Sequence, residues 1–162
     1  MMKIHFKIAV ITALLLGSSL TQAALTTSSI PMTVEVPKSC VFSNLSPGII
    51  LPEDGSVGEG GVTVTCNTNS FSIQIRSASQ PNYFDEAKVV NANGIELKTT
   101  AVAANSSFGG PFQAMPLSLS YGGGGIYGAP LEHRVRVNLK SPVTAHTPEG
   151  VYTDTVHFDV NY

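Results

Sequence analysis

Hydrophobic residues recur at every second position through much of this chain, and the stretch from Gly150 to Tyr162 shows the pattern most clearly. Tyr152, Val156, Phe158, Val160 and Tyr162 fall on one face, while Thr153, Thr155, His157, Asp159 and Asn161 fall on the other. A period of two marks a half-buried β-strand. Such a strand needs neighbours, and no residue follows Tyr162 to supply one. Its outer edge is therefore expected to be covered from elsewhere, because an open apolar edge is a template for pairing with another chain. Asp154 falls on the apolar face and is expected at the strand entrance, held by backbone or a nearby arginine.

The same alternation predicts strands at Val62–Cys66, Phe71–Ile75, Leu117–Tyr121 and Val135–Leu139. Val89-Val90 and Ile95–Leu97 flank Asn93-Gly94, a hairpin signal because Asn and Gly tolerate positive φ. Tyr83 to Lys88 has room for one helical turn. Pro47-Gly48, Pro52, Gly55, Gly58, Gly60 and Gly61 punctuate a loop-rich stretch after Cys40. About seven strands with turns between them predict an all-β chain, an immunoglobulin-like β-sandwich, with a barrel as the alternative.

Near the other end, Ile30, Met32, Val34 and Val36 alternate with Pro31, Thr33, Glu35 and Pro37. The two prolines forbid a helix and remove backbone donors, so this segment suits an edge or an insertion bonded along only part of its length. It is a spare strand, and the terminal strand lacks a neighbour. Burying its four apolar side chains contributes on the order of 6–12 kcal/mol before the cost of ordering the segment.

Composition narrows the function classes. Lys3 and Lys7, the apolar run Ile8–Leu16 and the small-x-small site Thr21-Gln22-Ala23 predict a secretory signal over residues 1–23. Cleavage there leaves 139 of the 162 residues, the size of one domain. Without Lys3 and Lys7, 7 Lys and Arg face 11 Asp and Glu, a balance that argues against nucleic acid or an anionic membrane surface as partner. The cysteines Cys40 and Cys66 both follow the signal, and an even count in an oxidising compartment predicts a disulfide.

No constellation of catalytic or metal-binding residues emerges. Gly123-x-Gly125-x-x-Gly128 matches a dinucleotide fingerprint on paper, but strand rather than helix follows it, so it reads as a turn. His133, His146 and His157 lie 13 and 11 residues apart, without metal-ligand spacing. No serine stands in a nucleophile-elbow context. The chain is read as a non-enzyme without cofactor or metal. Asn44-Leu-Ser46 and Asn105-Ser-Ser107 fit a glycosylation pattern too short and frequent to weigh.

Taken together, the signal, Met32-Thr-Val34-Glu-Val36-Pro-Lys-Ser-Cys40, a second cysteine on an early strand and Gly150-Val-Tyr152 through Tyr162 resemble the subunits of bacterial chaperone–usher pili. They are most similar to the spore-coat-U-like, archaic-type pilins. The resemblance implies an incomplete immunoglobulin-like sandwich completed by a donated strand, with residues 24–39 as the donor extension and 40–162 as the pilin domain. Ile30, Met32, Val34 and Val36 would be the donated residues. Gly150, Tyr152, Val156, Phe158, Val160 and Tyr162 would form the acceptor groove and the contact with a periplasmic chaperone. The implied partners are neighbouring subunits in a head-to-tail polymer, that chaperone and an outer-membrane usher, on the way to the cell surface.

Two other readings stand beside a structural pilus subunit. One is a single-domain adhesin that meets a host receptor through the Gly122–Tyr127 loop with Tyr83, Phe84 and Phe108. The other is a secreted β-sandwich binding module that folds alone.

Overall fold

A computed structural model describes residues 28–162. The signal expected over residues 1–23, with residues 24–27, lies outside the described residues. Residues 28–35 are exposed and form no regular hydrogen-bonded element. Val36–Tyr162 forms a separate compact unit.

Nine strands make up that unit: β1 (Cys40–Ser43), β2 (Gly58–Cys66), β3 (Ser70–Ser77), β4 (Lys88–Val90), β5 (Glu96–Asn105), β6 (Gln113–Ala114), β7 (Leu117–Gly122), β8 (Leu131–Leu139) and β9 (Val156–Asn161). Among the described residues there is no α-helix, and Asn82–Asp85 makes only a turn. Among the described residues no helix is long and apolar enough to cross a membrane. The strands pair antiparallel in two sheets, ordered β1-β2-β8-β5-β4 (with β6 also on β5) and β7-β3-β9. This is the expected all-β, immunoglobulin-like sandwich.

Alternation decides what enters the core. Val62, Val64 and Cys66 of β2, Ala101 and Ala103 of β5, and Leu131, Val135 and Val137 of β8 point inward from the first sheet. Phe71, Ile73 and Ile75 of β3 with Leu117 of β7 meet them from the second. Ile73, Ile75 and Val64 are fully buried. The Asn91–Ile95 hairpin turn forms as expected: Asn91 Oδ1 accepts from Asn93 N (3.0 Å) and Ile95 N (2.9 Å), and Gly94 has φ +77°.

Four elements differ from the sequence reading. β5 continues through Thr99–Asn105, where small alanines at the inward positions blur the alternation. β1 and β6 are too short to carry a periodic signal. The terminal strand is shorter than expected, spanning Val156–Asn161 rather than starting at Gly150. Thr153 instead makes an isolated bridge to Val90 of β4 in the other sheet, with Val90 N to Thr153 O and Thr153 N to Val90 O both 3.0 Å. Residues 150–155 thus pass from one sheet to the other before pairing with β3 begins.

Cys40 and Cys66 form the expected disulfide, joining β1 to β2 in directly paired positions. The glycine turn after β7 leads into β8 without a helix, and a Cβ at any of Gly122–Gly125 would meet nothing within 4 Å.

Candidate functional site

Among the described residues β9 hydrogen-bonds to β3 on one side only, in the register Ile73↔Val160 and Ile75↔Phe158. Its other side is an open edge of the second sheet. The cross-strand pair Arg76 Nε–Asp159 Oδ2 (3.1 Å) supports the register. Val156, Phe158 and Val160 pack against the core yet stay only half-buried. Tyr162 is exposed.

Across the sandwich, β1 is the outer strand of the first sheet. Phe42 sits opposite Val64, so it faces inward like that fully buried valine, yet it is 49% exposed. Tyr121 of β7 hydrogen-bonds to Asn105 of β5 and His133 of β8, placing β7 over those strands.

At the end of the sandwich where β9 starts, a cleft of about 730 Å³ opens between the sheets. Its walls include Ile49, Leu51, Val89, Ala101, Val137, Leu139 and Val156, with Gly150 to Asp154 along one rim. The 46–51 loop forms one wall because β2 carries glycines beneath it: a Cβ at Gly58 would strike the Ile50 carbonyl, and one at Gly60 would come within 2.6 Å of Ile49. Ser46 locks the loop, accepting from Gly61 N through Oγ and donating its own N–H to Gly61 O, both at 2.9 Å.

Of the expected acceptor residues, Gly150, Tyr152 and Val156 line this cleft, whereas Phe158 and Val160 lie further along β9 and Tyr162 follows it. Ile49, Leu51, Val137 and Leu139 belong to the cleft as well, and the sequence reading did not include them. Ile49 and Leu51 fall in a loop with no periodicity, and the alternation at Val135–Leu139 predicts a strand without saying which site it borders. Ile30, Met32, Val34 and Val36 are each at least 70% exposed, an alternating apolar row in water.

Asp154 accepts from the Ser77 and Ser79 hydroxyls, the latter at 2.8 Å, and from Ser79 N at 3.2 Å. It is a structural clasp at the start of β9, held by two serine hydroxyls and, as one of the two expected partners, a backbone N–H, with no arginine in contact among the described residues. His133 is wholly buried. Nδ1 donates to Leu131 O (3.1 Å), so Nε2 accepts from Tyr121 Oη (2.7 Å), which accepts from Asn105 Nδ2 (2.6 Å). Burial pushes the imidazole below its ordinary value and the Tyr121 phenol above its own. Every polar atom of this triad is spent internally, as in a satisfied core network. Among the described residues, no group of three or more His, Cys, Asp or Glu is placed to hold a metal ion.

No family model matches the sequence, and no curated protein does. Solved structures align with part of the chain. A chaperone–tip adhesion subunit pre-assembly complex (CsuC–CsuE) from the archaic chaperone–usher Csu pili of Acinetobacter baumannii aligns with 78% of this chain and 40% of its own, at 14% identity and TM-score 0.46. A chaperone–tip adhesin complex of CFA/I fimbriae aligns with 81% of this chain and 39% of its own, at 16% identity and TM-score 0.38. The chain thus spans about two fifths of the length of these matched chains.

Proposed function

We propose that this chain is a structural subunit of a bacterial surface pilus that polymerises by donor-strand exchange. In this reading the Ile30–Val36 segment of one copy lies along the open edge of β9 in the next. The observation that carries it is the open β9 edge, flanked by half-buried Val156, Phe158 and Val160. An added strand would pair its backbone with β9 and place alternate side chains between the sheets, which is β-augmentation. The segment supplies what the site needs, four apolar residues at alternate positions. Donor and acceptor are different surfaces, so the contact is heterologous and extends into a filament. A periplasmic chaperone would cover the same edge before assembly, and an usher would mediate export.

The test is assembly of the full-length chain with and without Val34→Asp. The wild type should form a ladder of head-to-tail oligomers, and the charged variant should lose it while keeping its fold. A wild type that remains a stable monomer would favour a self-folding secreted module instead.

One observation favours an added adhesive role: Tyr83, Phe84, Phe108 and Tyr127 are all at least 62% exposed on loops. Phe84→Ser should then reduce attachment of piliated cells without changing filament length. Unchanged attachment leaves a purely structural role.

A further inference from the structure

The residues that join the alternating N-terminal row to the sandwich are held by one side chain. Cys40 faces Cys66 at the end of β2, so continuing the ladder outward would pair Ser39 with Asn67 and Pro37 with Asn69. Beyond Cys66 the chain turns away into β3, and the backbone of Asn67 keeps only part of that pattern, its N donating to Ser39 O at 2.9 Å. Its carboxamide supplies the rest. Oδ1 accepts from Ser39 N at 2.6 Å, and Nδ2 donates to Pro37 O at 2.9 Å. The two partners fix the orientation of the amide, since a backbone N–H needs an acceptor and a carbonyl needs a donor. Pro37 has no N–H, so the imitation leaves no donor over. One asparagine thus stands in for the missing strand and extends the β1 ladder to Pro37.

That extension carries Pro37–Ser39 off the end of the sandwich where β9 stops. Asn161 pairs with Ser72 near the start of β3, and β3 starts just after β2 ends. The cleft opens at the opposite end, where Ser77, Leu139 and Val156 line it. A segment that begins at Pro37 must therefore reverse direction to lie along its own β9. Val36-Pro37-Lys38-Ser39 is suited to that reversal, with proline at the second position of a type I turn. The bond that closes such a turn runs from Ser39 N to Val36 O, and Asn67 Oδ1 already holds Ser39 N. A reversal placed ahead of Pro37 takes about four residues and consumes Val34 and Val36, half of the apolar row.

Resting on the pilus-subunit reading, we propose that the Asn67 carboxamide directs the donor segment to a second copy of the chain, by withholding the turn that would fold the segment into its own groove. The two competing states bury the same side chains against the same edge, so they differ chiefly in what happens at the root of the segment. A bias of one or two hydrogen bonds there is enough to shift the partition. Direction adds to it. A segment folded back at Ser39 would run parallel to β9, whereas one from another copy, entering at the cleft, runs antiparallel, the slightly stronger pairing. Asn67 lies outside the cleft and acts as a positioning residue.

The experiment uses the full-length chain, with light scattering after size exclusion to count monomers and oligomers and a synthetic peptide of residues 28–39 to probe the groove. Asn67→Ala removes both side-chain bonds and should raise the ratio of monomer to oligomer about tenfold, the effect of one hydrogen bond. In that monomer the amides of Met32–Val36 should be protected from exchange, and added peptide should fail to bind because the groove is filled from within. Inserting Gly-Ser-Gly-Ser between Val36 and Pro37 supplies slack with Asn67 untouched and should give the same closed monomer. Asn69→Ala, in the same turn, should keep the wild-type partition, and thermal unfolding confirms the fold of each variant. Wild-type proportions in Asn67→Ala, an inert insertion, or monomers whose Met32–Val36 amides exchange freely overturn the role of Asn67 and leave donor-strand exchange standing. A wild type that neither forms oligomers nor binds the peptide overturns both.

Discussion

Tyr121 Oη lies 2.7 Å from His133 Nε2, and this one bond ties the second sheet to the centre of the first. Phe71 packs on the same tyrosine ring with centroids 5.0 Å apart. Asn105 extends the network to the next loop, where its Oδ1 accepts from Phe108 N at 3.2 Å. A sandwich with one open flank is thereby fixed firmly on the other.

Tyr121→Phe should therefore cost more than its small change in volume suggests. It leaves both His133 Nε2 and Asn105 Nδ2 without their partner, and each unsatisfied buried group costs about 1–3 kcal/mol. Urea unfolding should show a loss of about 2–4 kcal/mol, with the denaturant slope unchanged. A loss below about 0.5 kcal/mol would mean that water or repacking satisfies both groups.

How much of this was legible beforehand varies with the chemistry of each segment. Where Val, Ile and Leu alternate with Ser, Thr, Gln and Arg, as in β3, β7 and β8, the strands lie where the pattern puts them. The inward-facing Ala101 and Ala103 of β5 carry almost no such contrast. The start of β9 was misread for another reason. Thr153 has a strand-like neighbourhood in sequence, but its partner Val90 lies 63 residues away in the other sheet. Periodicity reports which face a residue prefers and says nothing about which sheet it joins. The cleft was hidden similarly, because Ile49 and Leu51 reach it from an irregular loop.

Acid should weaken the fold through His133. Burial holds its folded-state value below the ordinary 6.5, so the unfolded chain takes up the proton first as pH falls. This penalty is absent above that ordinary value and grows as pH drops below it, until the folded protein is protonated as well. Melting temperature should fall between pH 7.5 and pH 5 (about the range in which a histidine changes charge). His133→Gln, which keeps a donor and an acceptor without titrating, should flatten that part of the profile. An equal fall in the variant would assign the acid sensitivity elsewhere.

The disulfide carries more weight than its two residues suggest. β1 is four residues long, pairs only with β2, and exposes Val41 and Phe42. The Cys40–Cys66 bond closes a loop with a sequence separation of 26, worth about 3–4 kcal/mol on the chain-entropy account. The Cys40→Ala/Cys66→Ala double variant should lose stability of about that size. Its amide exchange should rise first at Val41–Ser43, with β3 and β8 still protected. Uniform loss of protection would show that β1 does not open as a separate unit.

A sharper test of the open flank separates folding from assembly at Phe158. That side chain is only half-buried and sits opposite fully buried Ile75. Phe158→Ser removes apolar surface that the isolated subunit covers in part and that a donated strand would cover fully. The free protein should lose about 1–2 kcal/mol, less than the 3–5 kcal/mol of a fully buried phenylalanine truncated to alanine. Binding of the residue 28–39 peptide should weaken by at least tenfold, because the remaining cover comes from that strand. Ile75→Ser is the control in the opposite direction, since its side chain is already enclosed: it should damage stability far more. If Phe158→Ser impairs folding as severely as Ile75→Ser, then β9 is an ordinary core strand. The alternating row at Ile30–Val36 would then have to find its partner on another surface.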